Sequence, residues 1–66
     1  MKIIINGQEK KLTVSLNLNS LVGQFSPNSN RIIAEVNGQI IKNPVWNQTH
    51  LKDGDVVELI SFVGGG

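Results

Sequence analysis

Only one stretch of the chain repeats its apolar residues at helical spacing, and it is short. Leu18, Leu21, Val22 and Phe25 fall at i, i+3, i+4 and i+7, one stripe of a helix. Asn17 stands where a side-chain oxygen accepts the first free backbone N–H groups. Pro27 closes the other end, because it cannot continue a helix and disfavours helical geometry at Ser26. The spacing therefore predicts a helix over 18–25. A helix of that length is marginal in water by itself, so its stripe must be held against other structure.

That other structure reads as strands. Lys2 to Ile5 is short and β-branched and stops at Asn6-Gly7, a pair that tolerates the positive φ of a tight hairpin. Leu12, Val14 and Leu16 then alternate with Lys11, Thr13 and Ser15, the period of a half-buried strand. Strands over 2–5 and 11–16 are thus expected to form an opening hairpin. Residues 26–30 form a polar loop. Arg31 to Val36 is the third strand, turned by a second pair, Asn37-Gly38, into Gln39-Ile40-Ile41, which Asn43-Pro44 ends. Trp46 and Leu51 are isolated apolar residues expected to plug one edge of the core. Lys52-Asp53-Gly54-Asp55 is a turn, and Val56 to Val63 is the last strand. The order is β-β-α-β-β-β, an α+β arrangement. One helix covers one face of such a sheet and leaves the other to solvent or a partner. If Val57 and Leu59 face the helix, then Val56, Glu58, Ile60 and Phe62 face away. Ile60 and Phe62, apolar on the uncovered face, are the partner-docking candidates.

The side chains offer little chemistry. The 66 residues contain no cysteine, which removes disulfides, thiolate metal sites and a catalytic thiol together. A net charge of +1 without a basic run argues against a nucleic-acid surface. His50 stands alone in a polar segment, with no nucleophile or ligand set implied by spacing. Asp53 and Asp55 flank a glycine and read as turn stabilisers, well short of a calcium shell. No metal site and no bound cofactor are expected. No stretch approaches the roughly 20 apolar residues of a membrane span, and the N-terminus lacks the apolar region of a signal peptide. The expected place is the cytoplasm, or the plastid stroma if the chain is organelle-encoded.

That leaves the main chain at its C-terminal end. Gly64-Gly65-Gly66 holds three of the seven glycines. The expected organisation is one domain over 1–63 followed by a flexible tail over 64–66. An α-carboxylate is ionised at neutral pH and can attack the α-phosphate of ATP. The resulting mixed anhydride accepts a sulfur or nitrogen nucleophile. Glycines make the thinnest strand and take any backbone angle a narrow channel demands. From Val63 to Gly66 the extended reach is about 13 Å, enough to enter a neighbouring active site.

Read with what precedes it, the tail acquires a family. The pieces are Met1-Lys2-Ile3-Ile4-Ile5-Asn6-Gly7 and Val36-Asn37-Gly38-Gln39-Ile40-Ile41, then Trp46 with Leu51 five residues on. Lys52-Asp53-Gly54-Asp55-Val56-Val57-Glu58 and Phe62-Val63-Gly64-Gly65-Gly66 complete the set. In these the chain resembles the sulfur-carrier proteins of thiamine biosynthesis, the ThiS family, over its whole length. The resemblance implies a ubiquitin-like β-grasp fold. It also implies a partner, a ubiquitin-activating-like (ThiF-like) adenylyltransferase, that uses MgATP to adenylate the carboxylate of Gly66. Gly64 and Gly65 would enter that partner's active site. Sulfur from a cysteine desulfurase would make a thiocarboxylate, and a ThiG-like thiazole synthase would take the sulfur. The chain would be a protein co-substrate, not an enzyme, and a monomer when free. Rival readings are the small subunit of molybdopterin synthase, a ubiquitin-like interaction module, and a modifier that joins its tail to a lysine amine.

Overall fold

The computed structural model describes residues 1–26 and 29–62. Five strands form one sheet: β1 (Lys2–Ile5), β2 (Gln8–Lys11), β3 (Ile32–Val36), β4 (Gln39–Ile41) and β5 (Val56–Ser61). The one α-helix among the described residues, α1, spans Leu18–Phe25, and short 3-10 helices cover Ser29–Arg31 and Asn43–Gln48. The strand order is β2-β1-β5-β3-β4. β1 and β5 run parallel, and the other neighbours are antiparallel. The first and last strands thus lie side by side in the middle of the sheet.

The helix follows its sequence signals to the residue. Asn17 keeps an extended backbone and its side-chain oxygen accepts the N–H of Ser20 at 2.8 Å. Ser26 ends the helix in extended geometry, its N–H returning to Val22 O at 2.9 Å. Two backbone bonds anchor the helix entrance to the segment after the second 3-10 helix: Leu18 N–H to Thr49 O at 2.7 Å, and Leu51 N–H to Leu16 O at 2.9 Å. Those tertiary ties make up for the marginal length of α1. Leu18, Leu21 and Val22 are buried, whereas Phe25, last on the stripe, is 45% exposed.

The second strand differs from its expected place. The Asn6-Gly7 turn sets Ile5 opposite Gln8, and pairing then runs back to Lys2 opposite Lys11. Beyond that point β1 has no residues left to pair, so β2 stops at Lys11 instead of covering 11–16. Leu12 makes a last backbone bond to Met1 O at 2.7 Å. Leu12 and Leu16 pack half-buried against the core, but Val14 is 66% exposed. The alternation over 11–16 reflects two leucines tucked beneath a non-strand segment. β3 starts at Ile32, because Arg31 belongs to the preceding 3-10 helix. β5 is described to Ser61, and Val63 lies outside the described residues, as do Pro27 and Asn28.

The core lies between α1 and one face of the sheet. Ile3, Ile32, Ala34, Val57 and Leu59 come from the strands; Leu18, Leu21 and Val22 come from the helix. Trp46 and Leu51 close its edge, as expected. Trp46 sits on a 3-10 helix where a loop was expected. It is 1% exposed, and its indole N–H donates to Ile41 O at 2.7 Å. A buried indole needs such a partner, and the turn of 3-10 helix brings the ring back under β4 to find it.

Candidate functional site

β5 carries the polypeptide toward the glycines, and the structure holds it from both sides. On one side it pairs with β3 from Ile32 opposite Ser61 to Val36 opposite Val57. Phe62 extends that ladder through its N–H to Arg31 O at 2.9 Å. On the other side β1 runs parallel, with Ile4 and Ile5 opposite Val56 and Val57.

Two asparagines complete the clamp. Asn6 and Asn37 occupy the first positions of the two tight turns at φ 48 and 51, left-handed values that asparagine tolerates better than most residues. Each also turns its side chain onto β5. Asn6 Oδ1 accepts the N–H of Leu59 at 2.8 Å, and Asn6 Nδ2 donates to Leu59 O at 3.2 Å. Asn37 Oδ1 accepts the N–H of Val56 at 2.9 Å, and Asn37 Nδ2 donates to Asp55 Oδ1 at 2.9 Å. The sequence alone marks both as turn residues only. Their second role depends on β5 lying beside each turn, a long-range fact that no local spacing encodes.

The facing of β5 agrees with its alternation. Val57 and Leu59 are 0% and 3% exposed, while Ile60 and Phe62 stand 50% and 41% exposed on the face the helix leaves open. Trp46 and the segment around it do not cover them. Register adds residues that the strand alone could not supply. Ile33 of β3 lies directly opposite Ile60 and is itself exposed. Glu35 lies opposite Glu58, and Ile40 of β4 lies opposite Glu35. The open face near the end of β5 is therefore an apolar group of Ile33, Ile60 and Phe62 beside two facing carboxylates. Among the described residues neither carboxylate has an ion-pair partner; the ion pair there is Lys2 Nζ to Glu9 Oε2 at 3.0 Å, on the other half of the sheet.

The remaining polar candidates behave as turn chemistry. Asp53 Oδ1 accepts the N–H of Lys2 at 2.7 Å, and Asp55 Oδ2 accepts that of Lys52 at 2.8 Å. Gly54 takes φ +88 between them. His50 is exposed, and its backbone bridges to Asn17. No group of three or more His, Asp or Glu side chains that could hold a metal occurs among the described residues. No helix among them is long and apolar enough to cross a membrane. The expected reactive residues, Gly64, Gly65 and Gly66, lie outside the described residues.

The comparisons with known proteins bear on all of this at once. The profile of the ThiS family matches residues 3–66, a span that includes the glycines. The chain belongs to the ThiS family. Its structure is similar to the crystal structure of the thiamine biosynthesis protein ThiS from Geobacter metallireducens. The TM-score is 0.84 and the identity 30%, covering 100% of both chains. The ubiquitin-like β-grasp expected from the ThiS resemblance is thus the fold observed. Among curated proteins, the uncharacterized protein ycf40 of Porphyra purpurea is 35% identical over 66 residues, 100% of this chain and 93% of that one. A thiazole synthase of Paramagnetospirillum magneticum is 33% identical over 66 residues. That match takes in all of this chain but only 20% of the synthase, so this ThiS-family chain spans about a fifth of that relative.

Proposed function

We propose that this chain is a sulfur carrier of thiamine biosynthesis and that the carboxylate of Gly66 is its reactive group. The observation that carries the reading is the ThiS-family match through Gly66, on a fold whose central strand runs toward the glycines. β5, the strand that precedes the glycines in sequence, is held by β3, β1 and two asparagine side chains. A ThiF-like adenylyltransferase takes those glycines. A carboxylate oxygen of Gly66 attacks the α-phosphorus of MgATP, and pyrophosphate leaves. The terminal sulfur of a cysteine desulfurase's persulfide then attacks the acyl carbon and displaces AMP, and a thiol cleaves the resulting acyl disulfide, leaving the thiocarboxylate and a new disulfide.

The sulfur goes to a ThiG-like thiazole synthase. The Paramagnetospirillum magneticum thiazole synthase, which contains within its own chain a segment similar to this one, supports that acceptor over a molybdopterin precursor. In this role the chain is consumed and regenerated as a co-substrate. Ile60 and Phe62, with Ile33 beside them, form the docking surface closest to the reactive end.

Intact-mass analysis tests the reading. The chain is incubated with MgATP, the cognate adenylyltransferase, cysteine, the desulfurase and a dithiol reductant. A gain equal to one oxygen-to-sulfur exchange, mapped to Gly66, is the expected result. An unchanged mass with an adenylyltransferase proven active on another carrier would overturn it. So would sulfur uptake by a chain carrying an extra untrimmed residue after Gly66.

A further inference from the structure

Two of the eight asparagines are followed by glycine, and they are Asn6 and Asn37, the two whose side chains hold β5. Asparagine is a thermolabile residue. The backbone nitrogen of the next residue can attack its side-chain amide carbon, and where that residue is glycine no Cβ crowds the approach. Attack still requires the nitrogen and the carbon to meet at a short distance and a suitable angle.

At both turns the folded chain withholds that geometry. Burial does not protect the two asparagines, since both are exposed. Their amides are held instead. Asn37 Oδ1 accepts the N–H of Val56 and Asn37 Nδ2 donates to Asp55 Oδ1, each at 2.9 Å. The backbone N–H of Asn37 also reaches Val56 O, at 2.7 Å. All three bonds run to residues 55 and 56, and they turn the amide toward the start of β5 and away from Gly38. Leu59 holds the amide of Asn6 in the same way. Each amide is guarded while β5 is in place and open to attack once β5 leaves.

The two sites differ in what their products would meet. Asn6 Nδ2 faces a neutral carbonyl, that of Leu59. Asn37 Nδ2 faces the carboxylate of Asp55, whose other oxygen is fixed by the N–H of Lys52 at 2.8 Å. A carboxylate made at position 37 would therefore put two like charges at hydrogen-bond distance with no proton between them, and these repel. An isoaspartate there would add a backbone carbon to the turn that sets Val36 opposite Gln39, and register in a hairpin depends on loop length.

We propose that Asn37-Gly38 is a latent modification site, which deamidates when β5 comes away and whose product bars β5 from seating again. The Gly38 nitrogen gives its proton to base and bonds to Cγ of Asn37. The side-chain nitrogen takes up a proton and leaves as ammonia. Water then opens the five-membered succinimide at one of its two carbonyls, giving aspartate or isoaspartate. One water enters and one ammonia leaves, with no oxidant, reductant or cofactor. The site is a one-way record of the strand having left its place.

Peptide mapping by mass, after incubation at mildly basic pH, tests it. In the folded chain Asn37 is expected to lose its amide about a hundredfold more slowly than in urea. Asp55→Ala removes one of the restraining bonds and is expected to raise the folded rate at Asn37 about fivefold, with Asn6 unchanged. Asn37→Asp copies the product and is expected to lower the thermal midpoint by about 5–10 °C. Adding Asp55→Asn to that variant gives the new carboxylate a donor and restores most of the loss. Equal rates at Asn37 in the folded chain and in urea overturn the proposal, and so does an Asn37→Asp chain as stable as the parent. Should Asp55→Ala open the whole domain, Asn6 speeds up together with Asn37, and the folded and urea rates of the unaltered chain then decide.

Discussion

Asn6 and Leu59 hold each other twice, side-chain oxygen to backbone N–H at 2.8 Å and side-chain N–H to backbone oxygen at 3.2 Å. They lie 53 residues apart in sequence. Through them the first turn of the chain is fastened to the strand that leads to the glycines. Replacing Asn6 tests this directly, because its two roles separate. Asn6→Gly keeps the left-handed φ of 48 at low cost and removes the two bonds. Asn6→Ala removes the bonds and adds backbone strain. Urea unfolding is expected to show a loss of about 1–2 kcal/mol for glycine and a larger loss for alanine. Equal stability of all three proteins would show that the pairing contributes nothing.

Leu21 and Val14 make a contrasting pair. Leu21 is 3% exposed and Val14 is 66% exposed. Leu21→Ala is expected to cost about 2–5 kcal/mol and to lower the thermal midpoint, since it leaves a cavity under the sheet. Val14→Ala should change stability by no more than about 0.5 kcal/mol. A large effect at Val14 would mean that the 12–16 segment packs more closely than its exposure indicates.

Phe62→Ala and Ile60→Ala separate docking from folding. Both side chains are about half exposed, so truncation removes little buried surface from the free protein. Calorimetry with the adenylyltransferase is expected to show binding weakened about tenfold or more, with thermal unfolding nearly unchanged. Lost stability with unchanged affinity would assign these residues to the core instead.

Glu35 and Glu58 face each other across β3 and β5, an arrangement that costs a sheet a few tenths of a kcal/mol. Glu58→Lys turns the opposition into an attraction. The variant is expected to gain roughly 0.2–1 kcal/mol in urea unfolding at low salt, and to lose the gain as salt screens the pair. A variant no more stable than the parent would show that the two carboxylates swing apart into solvent.

The helix was legible because every signal for it is local: a stripe, a capping asparagine and a proline, all close together along the chain. The strands flanking the second Asn-Gly turn, and the strand before the first, were legible for the same reason. β2 was not, because its length is set by the four residues of its partner β1 and not by its own alternation. The open face shows the same division. Ile60 and Phe62 follow from the alternation of one strand. Ile33 joins them only through register, and the clamping roles of Asn6 and Asn37 need β5 to pass beside both turns. What the sequence conveys about the glycines comes from residue type and order, and from likeness to a family, not from any neighbour in space.

The central place of β5 has a mechanical consequence. A force applied at the C-terminal end of β5 acts along the strand. It is opposed at once by the bonds to β1 and to β3, which must slide together in shear. An edge strand peeled sideways would unzip one bond at a time. A pull along β5 therefore loads several backbone bonds at once, and the strand resists it better than either edge strand would.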